Sequence, residues 1–596
     1  MLAQQDGDIE TTLDLTRLTP LQSIRFNQVA ADIRIAYNDA IAGLARAYPK
    51  DLAWQLSSLT SRHSNLSFTF LRCCQLALVQ DYLMRGVRIG HVVTDSRAMQ
   101  QVLVKYLGTK GAGVRVIVKR SLQAWLIQRL RPWKYLLSVM LHTFAQGLCA
   151  RVTRPRPSPE RPPLTLLDCF VLPGSFSDGV VYQDRYYPGV LDYLRDPEKE
   201  RTFYLPTFVG VGLLAYGGLY RKIRRPENRF LLREDYLCLK DYVSAFGAMG
   251  RVSALTRALP SGKHQFLGFD LAPLLLEEIA QTRTNGSSFL AFLNYRLAQR
   301  LSERRVSVRL VVDWNENQVI DKGFVKGFHD FHPGTPVIGY RGFIVDPGFH
   351  IYLHPTRAEI EAGFIPDELR VIGEGLVPRI KEFAPELTVK SAPAFRFSEL
   401  WGERSTSGVS QNSYVLVALP IHRESMQGIL SLIDRALENP ALQKIDLALK
   451  PHPIYDEKQV RRMFPGPWRK NLFFVSGDFN ECLDRATVLI GNYSSTCVEA
   501  LARGIPTVVV GGQSGFTHNP VPPEIPKSIW ALCYQADELT DAVTRFFHRS
   551  PEEIESYRRL GESIRERYFT KVDRDSVREF LRLPQDRGST GVSPSI

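Results

Sequence analysis

Cysteine is scarce and unpatterned in this chain: there are eight in 596 residues, with Cys73 and Cys74 adjacent and no Cys-x-x-Cys spacing. That excludes a disulfide framework and a cysteine-rich zinc site, and points to a reducing compartment. No secretory leader is expected, since MLAQQDGDIETTLDLTRL is acidic and polar, with no basic start followed by an apolar run. Long uncharged runs are few. Tyr135 to Ala150 covers 16 residues, short of the roughly 20 that cross a bilayer, and contains His142 and Gln146. Residues 202–220 are long enough, but Pro206 and four glycines punctuate them, which suits strands and loops better than a span. The Asp-x-Asp pairs, Asp6/Asp8 and Asp573/Asp575, stand in polar terminal stretches and not behind strands. No metal and no bound cofactor is therefore expected.

Acidic residues are nearly absent from one region. Between Lys105 and Arg161 there are twelve Lys/Arg and the single acid Glu160, which accounts for most of the +13 net charge. Within it, RSLQAWLIQRLRPWKYLLSVMLHTFAQGLCARVTRPRPSPERPP mixes cations with Trp125, Leu126, Trp133, Tyr135 and Leu137, then leaves through a Pro-rich run. Cations mixed with aromatic and aliphatic residues at helical spacing suit a helix lying in an anionic lipid interface. A basic helical hairpin packed on its own domain is the plainer alternative. No nucleic-acid motif accompanies the charge, so no nucleic-acid partner is expected.

What the chain does have is core. At 44% hydrophobic and 596 residues it exceeds what one core organises, so two or more domains are expected. Short apolar runs alternate with longer amphipathic ones, the pattern of β-α units in a parallel α/β sheet. A first set of strands is read at 87–95, 164–174, 306–314, 335–342 and 368–375, and a second at 414–420, 444–453, 471–477, 486–492 and 505–512. The polar stretch between them divides the chain into a first Rossmann-like domain, 1–402, carrying the basic insertion at about 115–160, a linker, 403–413, a second Rossmann-like domain, 414–583, and a disordered tail, 584–596.

Polar turns at strand ends of the second set hold the chemistry, because ligands of open α/β sheets collect at the carboxyl ends of strands. Lys450-Pro451-His452-Pro453 is one such turn. GNYSSTCVEALARGIP is another, with Gly491 ending a strand, Ser494, Ser495 and Thr496 opening a helix, and Glu499 one turn in. The third is GGQSGF, containing Gly512. Hydroxyl residues at a helix start offer free amides and the positive dipole end to a phosphate. His452 would face the same phosphates, and Glu499 would accept from ribose hydroxyls. Taken singly these are ordinary N-caps and turns, and two further His-Pro pairs, at His332 and His354, show how common the dipeptide is. Their order and spacing make the nucleotide-sugar reading.

That order resembles the donor-binding domain of GT-B glycosyltransferases that build bacterial surface polymers, above all the sialyltransferase and Kdo-transferase group and the CDP-glycerol-type transferases. ENRFLLREDYL, DWNENQVIDKGFVKGFHDFHPGTPVIGYRGF and SAPAFRFSELW likewise resemble a bacterial surface carbohydrate family. The resemblance implies a metal-independent enzyme that uses a CMP-activated acidic sugar. His452, Ser494, Ser495 and Thr496, joined by Lys450, would hold the nucleotide phosphate. It implies a glycan or lipid-linked acceptor and a peripheral location on the cytoplasmic face of the membrane. A CDP-alditol-dependent alditol-phosphate transferase and a non-catalytic scaffold of the same fold are the alternatives. Inversion needs a carboxylate base from the first domain. Glu374, set between two glycines, resembles the acid motif of sialyltransferase-like enzymes, although Gly373 stands where they have a first acid. Glu316, with Asp313 nearby, is the other candidate.

Overall fold

The computed structural model describes residues 11–46, 48, 51–62, 67–119, 122–153, 163–177, 180–256, 264–282, 285–344, 354–402, 413–512 and 515–585. Linker residues 403–412, tail residues 586–596, the Pro-rich run from 154 and the Asp6/Asp8 pair lie outside the described residues.

Two six-stranded sheets dominate. In the first, the spatial order is Val389–Ser391, Glu368–Val371, Val337–Arg341, Val308–Trp314, Leu164–Val171, Thr202–Phe208. In the second it is Leu472–Phe474, Leu447–Lys450, Tyr414–Ala418, Ala486–Gly491, Thr507–Val510, Trp530–Cys533. Every neighbouring pair in both sheets is parallel. Parallel sheets are covered by helices on both faces, so their strands are apolar without alternation. VVDW ending the 308–314 strand and YVLV in the 414–418 strand are buried at every position. The architecture is the expected one: two Rossmann-like α/β domains facing a central cleft.

The strand expected at 87–95 forms, as Ile89–Thr94, but joins neither large sheet. It is the centre of a separate three-stranded parallel sheet, between Thr11–Asp14 and Arg115–Val118. This small sheet has its own core, built on Phe26, Trp54, Phe70, Leu103 and Phe292. The first half of the chain therefore folds around two centres. The basic segment also differs from a hairpin: after the edge strand Arg115–Val118 it runs as one 31-residue helix, Leu122–Val152, with Pro132 inside it.

The end of the chain crosses back. Helix Pro551–Tyr568 presses on the first domain so closely that a Cβ at Gly373 would lie 2.2 Å from the Tyr568 carbonyl carbon. The next helix, Arg574–Phe580, packs on the first domain, with the Phe580 ring 5.1 Å from Tyr340 and 5.8 Å from Phe395. Arg578, fully buried, donates from Nη1 and Nη2 to the Glu198 carboxylate at 3.0 and 2.9 Å, and from Nε to the Pro584 carbonyl at 2.8 Å. That fork holds the Glu198 carboxyl below its ordinary range. Removing one partner of such a pair strands the other's charge in the interior. We expect Glu198→Gln to cost about 2 kcal/mol, below the fully buried case because Glu198 keeps some solvent contact. The lowered carboxyl stabilises the fold above the unfolded-state value near 4.3 and ceases to as pH falls through the folded one. Thermal melting should therefore show a gap between the two proteins at pH 7 that closes as the pH drops below 4.

Candidate functional site

In each large sheet the strand order reverses once, and a crevice opens beyond the carboxyl ends at that point. In the first sheet this lies between Leu164–Val171 and Val308–Trp314, and in the second between Tyr414–Ala418 and Ala486–Gly491. The two crevices face one another and share a cleft of about 530 Å³.

The second domain supplies one wall. The strand Leu447–Lys450 ends in the Pro-flanked turn, where the Ile454 amide donates to His452 Nδ1 at 3.3 Å. That bond makes Nδ1 the acceptor and leaves Nε2 to carry the proton toward the cleft. Burial, then the nearby His422 and Arg396, lowers the His452 pKa, so the ring is a neutral donor. Lys450 reaches the same wall, with its ammonium donating to the Gly477 carbonyl.

The serine turn is built differently from the expectation. The amides of Tyr493, Ser494, Thr496 and Cys497 are all engaged locally, by Asn492 Oδ1, the Asn492 carbonyl, Ser494 Oγ and the Ser494 carbonyl. The helix that follows, Thr496–Ala502, is seven residues long. Amides and dipole therefore contribute less here than side chains. Ser495 Oγ accepts from the Ile344 amide of the first domain at 3.0 Å, leaving its own proton to donate. Thr496 Oγ1 is buried and has no hydrogen-bond partner among the described residues. Glu499 lines the same wall, and burial pushes its carboxyl up to about 7 against the opposing pull of Arg503 and Arg396.

The first domain supplies Glu316 and Arg396. Glu316 follows the 308–314 strand, where Asn317 at φ 53° turns the chain back, a conformation Asn tolerates better than most residues. Trp314 Nε1 donates to Glu316 Oε1 at 3.1 Å, and Gln318 Nε2 donates to Oε2. Burial nevertheless raises the Glu316 pKa above its ordinary value. Arg396 sits over Trp314, 5.9 Å from the ring centre, and its charge acts on Glu316, His452 and Glu499 together.

Beneath Glu316 lie three acids, Asp313 and Asp321 buried and Asp168 half-buried, of which the sequence pointed to one. Asp313 is pushed up to about 8, first by burial and then by Asp168, while Asn315 Nδ2 donates to it at 2.9 Å. Asp168 and Asp321 are likewise raised, each chiefly by burial. Asp321 accepts the amides of Glu316 and Gln318 at 2.9 and 3.0 Å, which fixes the loop. Asp168 and Asp321 were not foreseen. An acid inside the apolar run LTLLDCFV was the available signal.

The cleft thus gathers Glu316, Lys450, His452, Ser494, Ser495, Thr496 and Glu499. Asp313 lies behind the wall, at 1% exposure, and does not line it. Glu374 is exposed at the start of the turn Glu374–Leu376 and is not on the cleft wall. Its flanking glycines have a packing reason: Cβ atoms there would meet the Tyr568 backbone at 2.2 Å and ring at 2.6 Å. Gly512 is not on the cleft wall either. Its amide donates to Thr517 Oγ1 at 2.9 Å, and the turn is drawn to the small-sheet core by Phe516, stacked on Phe70 at 5.4 Å. It borders a second cavity of about 940 Å³, which shares Asn492 with the cleft.

No protein-family model and no curated protein matches the chain. Solved structures overlap it partially. The glycotransferase of kitacinnamycin superposes with a TM-score of 0.38 at 14% identity, over 71% of this chain and 100% of that one. The α,α-trehalose 6-phosphate synthase of Burkholderia multivorans gives 0.39 at 11%, over 71% and 98%. The UDP-GlcNAc 2-epimerase of Methanocaldococcus jannaschii, bound to UDP-GlcNAc and UDP, gives 0.34 at 12%, over 50% and 80%. These are coarse overlaps of chain path, and the chemistry is read from the side chains above.

A carboxyl raised by folding favours the folded state below its unfolded value near 3.9, and that advantage is lost as pH rises through the folded value. Between about pH 4 and 8, Asp313 therefore erodes stability. Asp313→Asn keeps an acceptor for Asn315 and removes the titration. The variant should melt higher than wild type at pH 8, by a margin that shrinks toward pH 5. Paired melting curves across that range check it.

Proposed function

We propose that this protein is an inverting glycosyltransferase that binds a nucleotide-activated sugar in the cleft and passes the sugar to a hydroxyl of a glycan acceptor. One observation supports this most directly. A half-buried carboxylate of raised pKa from one domain faces an unsatisfied hydroxyl, two serine hydroxyls and a neutral imidazole from the other. Transfer with inversion needs these two functions at opposite ends of the breaking bond: a base for the acceptor hydroxyl, and donors for the departing phosphate.

In this reading Glu316 is the base. Desolvation strengthens it as a proton acceptor, while Trp314 and Gln318 aim its oxygens. His452 Nε2 and the hydroxyls of Ser494, Ser495 and Thr496 hold the phosphate. Glu499 takes the ribose hydroxyls. Arg396, between the two groups, meets the negative charge of the donor, and a carboxylated sugar would use it fully. The preferred donor is a CMP-activated acidic sugar, following the resemblance of the Lys-Pro-His-Pro and Ser-Ser turns. A CDP-alditol donor would occupy the same phosphate contacts.

Mutation separates the roles. Glu316→Gln should leave the binding of the cytidine nucleotide within twofold and lower transfer by about 10²- to 10⁴-fold, the ordinary worth of a general base. His452→Ala should weaken nucleotide binding. So should Thr496→Val, which removes a hydroxyl that no protein group uses and should leave the melting temperature unchanged or higher. Calorimetric titration with CMP, CDP and UDP, and chromatographic detection of released CMP, provide the readouts. Full transfer by the Glu316 variant, or unchanged nucleotide binding by both wall variants, would overturn this assignment.

A further inference from the structure

The helix Leu122–Val152 leaves an apolar stripe outward although its inward face already buries Leu136 and Ala150. A surface helix buries its apolar stripe and shows its polar one to water. Here the inward face carries Thr143 and Gln146 at 3% and 4% exposure, with Gln146 Nε2 donating to Tyr216 Oη at 2.9 Å and its Oε1 accepting from Arg233 at 3.2 Å. Outward stand Leu130, Trp133, Leu137, Leu141, Phe144 and Leu148, all between 47% and 72% exposed. Their spacing of three and four residues draws one continuous line down the helix.

An adjoining helix repeats the pattern. Gly147 lies beside Tyr242 Oη on Leu239–Thr256, and that helix exposes Leu239, Val243 and Phe246 at 72%, 64% and 51%. Exposed apolar areas of this extent mark a docking surface.

We propose that these two helices dock the protein on an anionic lipid bilayer, lying in the headgroup plane. The charge selects this occupant. The 122–152 helix contains no acid, exposed Lys134 and Arg151 flank its apolar line, and Lys240 and Arg251 are exposed on the neighbouring helix. A second copy would bring the same cations against these cations. A nucleic acid would use the cations and leave the apolar line wet. An interface of anionic headgroups over acyl chains satisfies both, with Trp133 at the boundary. Among the described residues no helix is long and apolar enough to cross a membrane, so the attachment is parallel to the surface. The opposite side of the same helix, at Arg131 and Tyr135, lines the 940 Å³ cavity that shares Asn492 with the cleft. The docked face and the cleft are thus joined through one helix. The docking itself stands whatever reaction the cleft performs.

Vesicle flotation of the full chain tests it. Wild type should float with vesicles containing phosphatidylglycerol, remain below with phosphatidylcholine alone, and lose most of its flotation in high salt. The triple variant Leu137→Glu/Phe144→Glu/Leu148→Glu changes only exposed positions, so its melting curve should match wild type while the floated fraction falls at least tenfold. Lys134→Glu/Arg151→Glu, a milder change, should lose selectivity for the anionic vesicles. Wild type that stays below with both lipids, or a triple variant that floats as wild type does, would overturn the proposal. So would light scattering that shows a wild-type dimer dispersed by the triple variant, which would make the stripe a contact between copies.

Discussion

All strands in the two large sheets run parallel, and the site depends on that constraint. A parallel pair needs a crossover helix, so every strand delivers its carboxyl end to the same edge of its sheet. Turns that carry chemistry then collect along one edge without having to be adjacent in sequence. In the second domain this brings Lys450 to Pro453 beside Asn492 to Thr496, forty residues apart by chain. In the first it brings the loop after Trp314 beside the segment after Arg341. Two such edges set face to face make a cleft whose walls have separate origins, which suits a reaction that needs a base and an anion site apart.

The facing depends on a few ties. The Ile344 amide reaches Ser495 Oγ across the cleft, Tyr568 closes on glycines 373 and 375, and the final helix locks onto the first domain through Arg578 and Glu198. Glycine is needed at 373 because backbone meets backbone there. These ties sit on the rim and far side of the cleft, so the arrangement is held before any ligand arrives, and pre-arranged donors avoid reorganising during reaction.

Most of the fold was legible because parallel strands write a plain signature: runs such as YVLVA and TVVV are apolar almost throughout and stop at polar turns. Helical layers and two domains followed from length and alternation. Ile89–Thr94 reads locally like the others, and only pairing with the distant Thr11–Asp14 and Arg115–Val118 assigns it to a third sheet. Such pairing leaves no local mark. In the site, Lys450, His452 and the Ser494–Thr496 turn were found because strand, turn and helix are contiguous in sequence. Glu374 attracted attention through its glycines, whose cause is the close approach of Tyr568, a contact almost two hundred residues away. Gly512 fits the same description, since Phe516 pulls its turn toward Phe70. The engaged amides around Ser494 were also hidden, because Asn492 and Ser494 capture them with side-chain and backbone oxygens in a local geometry that composition does not specify.

Behind Glu316 the acids Asp168, Asp313 and Asp321 form a floor, with Asp313 and Asp321 buried and Asp168 half-buried. Burying one carboxylate is expensive and burying three together more so, and the group responds by keeping protons. Arg341, itself fully buried, is lowered to about 9 by the same burial and stays cationic at neutral pH, but its Nε and Nη2 donate to Asn315 Oδ1, at 3.4 and 3.3 Å. A floor that is largely protonated donates hydrogen bonds where a charged one would only accept. It also leaves Glu316 as the acid nearest the cleft, with Arg396 to favour its charged form. The field beneath the base is then set by whether those protons stay. A proton lost from Asp313 or Asp321 would place negative charge under Glu316 and raise its basicity further, and on Asp321 it would also strengthen the two amide bonds that hold the loop. Basicity and direction at this carboxylate are therefore set through the same group: Asp321 holds the loop that aims Glu316, and its charge tunes how strongly Glu316 takes a proton.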